Sequence, residues 1–356
     1  MLSIRVFFLA MQVVQQLPAL LERLLQGECL AEEDAAGLMQ AWLENSLSAV
    51  QTGAFLAALR CRTPSAIELS AMALVLRAAA PLPCKRPDGP LLDSCGTGGD
   101  GANSFNISTA VAFTAASCGV KVAKHGNRSA SGKVGSADVL EGLGIQLTAP
   151  LESVVGAIDR AGVSFLFAPG WHGSLAALAP LRRNLGVRTI FNLLGPLVNP
   201  LAPEAQVLGV ANINLLKPMA GALKNLGLQR AVVVYGHGGL DEASLAGTNE
   251  LIVLDAGELH AQQLDPTAFG LSLAPLAELE GGDLVTNQEI LKRVLQGNGS
   301  KAQREVVALN TALALWCNGS VQHWGDGVER ALASLDSGEP WQRLLALRSA
   351  LNPVAG

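Results

Sequence analysis

A chain of 356 residues with 49% hydrophobic and only 15% charged residues excludes a disordered protein and leaves room for a substantial core, split between two unequal domains. A formal net charge of −5 without a long Lys/Arg run excludes a general attraction to nucleic acid, so an anionic ligand must be held by local donors in a small site. The six cysteines and five histidines are scattered, with no C-x-x-C pair and no zinc-finger spacing, which points to reduced structural thiols and gives a transition-metal site little support.

The N-terminal run MLSIRVFFLAMQVVQQLP is short, sits behind a single Arg5 and lacks a small-residue cleavage site, so residues 1–10 read as an extension with Met11 as a candidate start. No apolar stretch reaches the roughly 20 residues that a membrane span needs, and the cytoplasm is the expected location. From Leu17 to Ala80 the apolar spacing is helical through LPALLERLLQG, EEDAAGLMQAWLENS, VQTGAFLAALRCR and AIELSAMALVLRAAA, which predicts a small helical domain over 11–83. Pro81, Pro83, Pro87 and Pro90 then crowd a linker.

Beyond Pro90 short β-like runs alternate with helical ones: LLDSC, STAVAFTAASCG, VKVA, SADVLEGLG, LESVVGAIDRAG, VSFLFA, QVLGVA, LLKPMAGALKNLG and AVVVYG. That alternation predicts an α/β domain over 90–170 and 196–352, with a mainly parallel central sheet flanked by helices. ELIVLDAGELHAQQL reads as a hairpin or edge excursion, and the Arg-rich helical stretch 171–195 is expected to pack back onto the first bundle.

Chemistry concentrates at the predicted strand ends. DSCGTGGD places Gly96, Gly98 and Gly99 directly after a strand and before a helix, where backbone N–H groups can converge on an anion. Ser104, Asn106, Ser108 and Thr109 follow at the helix start, more polar groups than one N-cap requires. KHGNRS, with Lys124, His125, Asn127, Arg128, Ser129 and then Ser131, follows the next strand and should sit beside the glycine loop. Asp241 and Glu242 follow a third strand; they suit either Mg²⁺ or the start of a helix. Arg182 and Arg183 could capture a carboxylate or make an interdomain ion pair.

The segments GTGGDGANSFNIST, KHGNRSASGKVGSADVLEGLG, LRRNLGVRTIFNLLGPLVNP and LDEASLAG resemble, in order, the motifs of the anthranilate phosphoribosyltransferase family, and the match runs from about Leu17 to the late NTALALW. The resemblance implies a nucleoside-phosphorylase-like fold and transfer of a 5-phosphoribosyl group from phosphoribosyl pyrophosphate to the amine of anthranilate, in tryptophan biosynthesis. It also implies a homodimer joined through the helical domain. Carried onto this sequence, it places the donor against Gly96, Gly99, Asp100, Ser104, Asn106, Ile107, Ser108, Thr109, Ser136 and the run Lys124, His125, Gly126, Asn127, Arg128, Ser129, Ala130, Ser131 and Gly132. Anthranilate would meet Gly96, Asn127, His172 and Arg182, and Mg²⁺ would meet Ser108, Asp241 and Glu242. Lys124, Asn127 and Arg182 would carry the catalytic work. Gly132 stands where the family usually has Ser, and HGSL from His172 replaces the usual HPAM. The competing readings are a pyrimidine nucleoside phosphorylase, with the same architecture but a different second loop, and a non-catalytic relative binding nucleic acid, which the negative charge disfavours.

Overall fold

The computed structural model describes residues 2–80, 82–128 and 134–352, and the side chains of all of these except 2–9 and 12. Four helices open the chain: α1 (Leu2–Leu25), α2 (Glu32–Leu43), α3 (Ala49–Arg60) and α4 (Ala66–Ala78). Ser48 and Ser65 start α3 and α4 through reciprocal capping boxes with Gln51 and Glu68, so two orphan amides at each helix start are satisfied. Helix α1 begins well before Leu17 and runs through Pro18. Ala10, Val13, Leu17, Leu20 and Leu24 recur at helical spacing and are all buried, and packing of that stripe outweighs the hydrogen bond lost at the proline.

The second region contains β1 (Leu91–Gly96), α5 (Ile107–Ser117), β2 (Lys121–Gly126), α6 (Ser136–Gly142), α7 (Leu151–Ala161) and β3 (Val163–Phe167). Next come three short helices, α8 (Ala168–Trp171), α9 (Ala179–Leu185) and α10 (Phe191–Leu194), then β4 (Ala205–Gly209), α11 (Leu216–Asn225) and β5 (Arg230–Tyr235). The hairpin β6 (Asn249–Asp255) and β7 (Glu258–Leu264) precedes α12 (Leu284–Leu295), α13 (Lys301–Cys317), α14 (Trp324–Ser337) and α15 (Glu339–Leu351). The sheet order is β3-β2-β1-β4-β5-β6-β7, parallel from β3 to β5 and antiparallel across the last two pairings. The fold is therefore α/β with a mainly parallel sheet and a small helical domain, as the sequence indicates. Strand β7 is exposed along nearly its whole length, and its Glu, His and Gln residues suit a sheet edge left to solvent.

Alternation along β4, β5 and β6 divides the interior. Val207, Val232 and Val253 face one core with α5, α7, α13 and α15, whereas Leu208, Val233 and Ile252 face a second core shared with α11 and the N-terminal helices. The 171–195 stretch is not one helix, because Gly173, Pro180 and the left-handed cap at Gly186 interrupt it. Its apolar residues nevertheless join the second core, where the Phe191 and Trp42 rings lie 5.4 Å apart.

Strand β1 sits between β2 and β4, which lead away on opposite sides. Such a switch point opens a crevice at the carboxyl ends of the strands, and the glycine loop emerges there. Asn249 fixes the loop that returns over this crevice: its side-chain oxygen accepts the amides of His237 and Ser244, and its amide donates to the carbonyls of Ser244, Gly247 and Leu264.

Candidate active site

The site is assembled where the segment Leu240 to Glu242 crosses three neighbouring strand ends. A Cβ added at Gly96 would overlap the Asp241 carboxylate, one at Gly209 the Asp241 backbone carbonyl, and one at Gly236 the Glu242 carbonyl. Glycine at all three positions lets the acidic segment lie flat on the ends of β1, β4 and β5. Asp241 then accepts the Gly98 amide at 2.5 Å, and its own amide points to Asp100 Oδ2 at 3.4 Å. Gly98 and Gly99 sit at φ of 66° and 81°, a left-handed turn that presents the loop backbone to the crevice.

Asp100, Asp241 and Glu242 bring their carboxylate oxygens within 4.8 Å of one another. Burial pushes the Asp241 carboxyl up to about 7, with the charge of Asp100 adding to it, and burial together with Asp241 drives Glu242 well above its ordinary range. Glu242 Oε2 is buried without a hydrogen-bond partner. An acid cluster of this kind is costly unless a cation neutralises it, and an all-oxygen set fits a hard divalent ion. Ser108 shares a small cavity of about 10 Å³ with Asp241 and Glu242, close to the room one water needs. Its hydroxyl accepts from Lys124 Nζ at 3.1 Å, and Asp100, which the family resemblance places against the donor only, supplies a third carboxylate beside the pair.

Lys124 ends its reach at the Ser94 carbonyl, 2.5 Å away. Burial pulls its ammonium down while Asp93, Glu242 and Asp241 act in the opposite sense, so one buried cation sits in a pocket of acids. The second loop is tied to the first at its return: Asn106 donates to the Val134 carbonyl at 3.2 Å, and Thr109 Oγ1 donates to Ser136 Oγ at 2.9 Å. The two loops are thus neighbours, as their strands required.

Other expected positions take varied places. Ile107 is core at the start of α5, Ser104 bridges to Glu280, and Gly126 leaves room for the Phe165 ring. Asn127 is exposed, and Arg128 pairs with Asp138 and Glu141 at 2.6 and 2.8 Å over the Phe167 ring. Ser129, Ala130, Ser131 and Gly132 lie outside the described residues. Arg182 is half-buried over the Phe191 ring at 5.1 Å and has no hydrogen bond or ion pair among the described residues, which leaves its guanidinium fork uncommitted.

His125 and His172 are both buried, with rings 5.3 Å apart. His125 Nδ1–H donates to the Gly195 carbonyl and His172 Nε2–H to the Val198 carbonyl, each at 3.1 Å. In the same turn Asn199 Nδ2 donates to Asp93 Oδ2 at 2.9 Å and to the Ala123 carbonyl at 2.7 Å. The GPLVN turn therefore frames the site from behind, with the two imidazoles committed to backbone.

The chain is similar to known proteins in both sequence and fold. Residues 88–340 match the family described as "Glycosyl transferase family, a/b domain", and 18–80 match "Glycosyl transferase family, helical bundle domain". Those matches define the class: a glycosyltransferase built from a helical bundle and an α/β domain. An anthranilate phosphoribosyltransferase of Synechococcus sp. (strain RCC307) is 70% identical over 339 residues, covering 95% of this chain and 98% of the relative. The Thermus thermophilus anthranilate phosphoribosyltransferase superposes with a TM-score of 0.87 at 42% identity, over 93% of this chain and 98% of that one. The Saccharomyces cerevisiae enzyme in complex with PRPP and Mg gives 0.84 at 26% identity, over 96% and 99%. This chain belongs to the anthranilate phosphoribosyltransferase family.

The histidine pair makes a pH prediction. Burial lowers His125 from 6.5 to about 3 and also lowers His172, so between those values the unfolded chain binds protons that the folded chain does not. Their contribution to stability is complete above about pH 6.5 and falls as pH drops towards 3. Asp93, raised to about 6 by burial, acts in the opposite sense, so the histidine effect is best isolated by substitution. Urea unfolding at pH 7 and pH 5 should show His125→Asn, which keeps the donor to Gly195, losing on the order of 2 kcal/mol less than wild type over that interval.

Proposed function

We propose that this enzyme transfers the 5-phosphoribosyl group from phosphoribosyl pyrophosphate to the amine of anthranilate, giving N-(5-phosphoribosyl)anthranilate and pyrophosphate, a step of tryptophan biosynthesis. The observation that carries the reading is the meeting of the glycine loop, Lys124 and the Asp100–Asp241–Glu242 cluster at the switch point. Yeast relatives in complex with PRPP and Mg and with 4-fluoroanthranilate support both the substrates and the ion.

Breaking the bond from ribose C1 to pyrophosphate gathers positive charge on the sugar and negative charge on the leaving group, so the protein's task is to meet charge where it grows. Asp100, Asp241 and Glu242, with Ser108 beside them, would hold Mg²⁺, which when bound neutralises phosphate charge. Lys124 and the loop amide of Gly99 meet the remaining negative charge from the protein side, while the Gly98 amide stays on Asp241. Arg182 presents its free fork to the anthranilate carboxylate, which orients the amine. An aromatic amine is unprotonated at neutral pH, so no general base is assigned. Holding the two substrates in line supplies roughly 7 to 11 kcal/mol of barrier reduction.

The reading includes a homodimer through the helical domain and residence in the cytoplasm. Val50 on α3, with Ile67 and Leu74 on α4, exposes apolar surface that such a contact would cover. No helix among the described residues is long and apolar enough to cross a membrane.

Fluorescence-monitored consumption of anthranilate should depend on both phosphoribosyl pyrophosphate and Mg²⁺. In that assay Arg182→Ala should raise the KM for anthranilate about tenfold or more and that for the donor much less, in line with loss of one charge-assisted pair; equal effects on both would remove Arg182 from the acceptor site. Asp241→Asn tests the cation site by melting. In metal-free buffer at pH 8 it should raise the midpoint by roughly 2–4 °C, the shift about 1 kcal/mol produces, and it should abolish the further rise that Mg²⁺ gives wild type. An intact Mg²⁺ response in the variant would rule the carboxylate out as a ligand.

A further inference from the structure

The glycine loop is held by a residue that neither the acid cluster nor the substrate assignments include. Arg188 Nη2 donates to the Thr97 carbonyl at 2.6 Å, and its guanidinium fills the space that a Cβ on Gly99 would need. On the other side of the loop, Thr97 N–H donates to the Gly209 carbonyl at 2.9 Å and Gly98 N–H to Asp241. Thr97 to Gly99 is thus fixed through β4, through the acidic segment and through Arg188. Arg188 stands six residues after Arg182, beyond the left-handed turn at Gly186, so the arm carrying the acceptor-side arginine also grips the donor-side loop.

Resting on the reaction proposed above, we infer that Arg188 is a positioning residue that sets the register between the acceptor and donor halves of the site by clamping the glycine loop at Thr97. Two observations favour this over a surface arginine. The side chain is half-buried, and it spends that burial on a carbonyl rather than on a carboxylate, making no ion pair among the described residues. A planar guanidinium can hold a carbonyl while keeping a face against Gly99, which a flexible ammonium cannot reproduce. The charge has a separate effect: Asp241 and Asp100 attract it and Arg60 repels it, so it offsets part of the acid cluster's field.

Clamp and charge separate in a variant series assayed on the full-length enzyme. Arg188→Met should raise the KM for phosphoribosyl pyrophosphate about tenfold and lower kcat by roughly 10- to 100-fold, the scale of a misplaced reacting geometry, with the anthranilate KM changed less than twofold. The same variant should lower the Mg²⁺ concentration for half-maximal rate by about threefold, because a positive charge leaves the acid cluster. General structural damage would move that concentration upward. Arg188→Lys should restore the wild-type Mg²⁺ response without restoring the donor KM. Gly99→Ala covers the case in which Arg188→Met does not fold: it displaces the guanidinium while keeping the charge, and should raise the donor KM at an unchanged Mg²⁺ response.

Wild-type kinetics of the donor KM and kcat in Arg188→Met, or equal rises in both KM values, would overturn the inference. If the variant does not fold, an unchanged donor KM in Gly99→Ala does so. Wild-type enzyme run in parallel separates the two levels, since absence of turnover with both substrates and Mg²⁺ refutes the reaction itself rather than the role of Arg188.

Discussion

The site depends on one steric allowance: β1 and β4 end in glycines, β5 is followed at once by Gly236, and the acidic segment lies directly across those ends. With a Cβ at Gly209 the Asp241 backbone could not stay where it is, and the bond from Gly98 to the Asp241 carboxylate would be lost with it. Parallel strands alone create a crevice at the switch point. The glycines turn that crevice into a seat where a loop able to take phosphate and a set of carboxylates able to take a cation share one wall.

Such an arrangement carries a stability cost. Asp100, Asp241 and Glu242 repel one another in a largely buried place, and the protein meets that strain with rigid surroundings. Asn249 braces the returning loop, Asn310 brackets Ala243 by accepting its amide at 2.9 Å and donating to its carbonyl at 2.8 Å, and the GPLVN turn pins His125, His172 and Asp93 behind the second loop. Neutral imidazoles and a buried lysine are parts of one design in which charge is withheld except where the substrates need it.

Much of this was legible in the sequence because it is local. Glycines at 96, 98 and 99 directly after the strand-like run LLDSC declare a turn, with left-handed backbone at Gly98 and Gly99, and KHGNRS after the adjacent strand declares its neighbour. Other features are set by topology and could not be read from spacing. Asp100 joins Asp241 across 141 positions, only because β1 pairs with β4 and β4 with β5. Arg188 reads as one more basic residue until the chain folds back to place it on Thr97, and no spacing ties the His172 ring to the Val198 carbonyl that takes its Nε2 proton. The 171–195 stretch showed helical spacing, yet its glycines and proline broke it into short pieces that aim Arg182 and Arg188 differently.

The central claim, that strand-end glycine seats the acidic segment against the donor loop, is tested most directly at Gly209, to which no substrate or metal role is assigned. Isothermal titration of Gly209→Ala with phosphoribosyl pyrophosphate in Mg²⁺ should give affinity reduced by roughly 10- to 100-fold, the range seen when a ligand's support is disturbed, while circular dichroism remains that of the folded protein. Donor affinity within twofold of wild type would contradict the account.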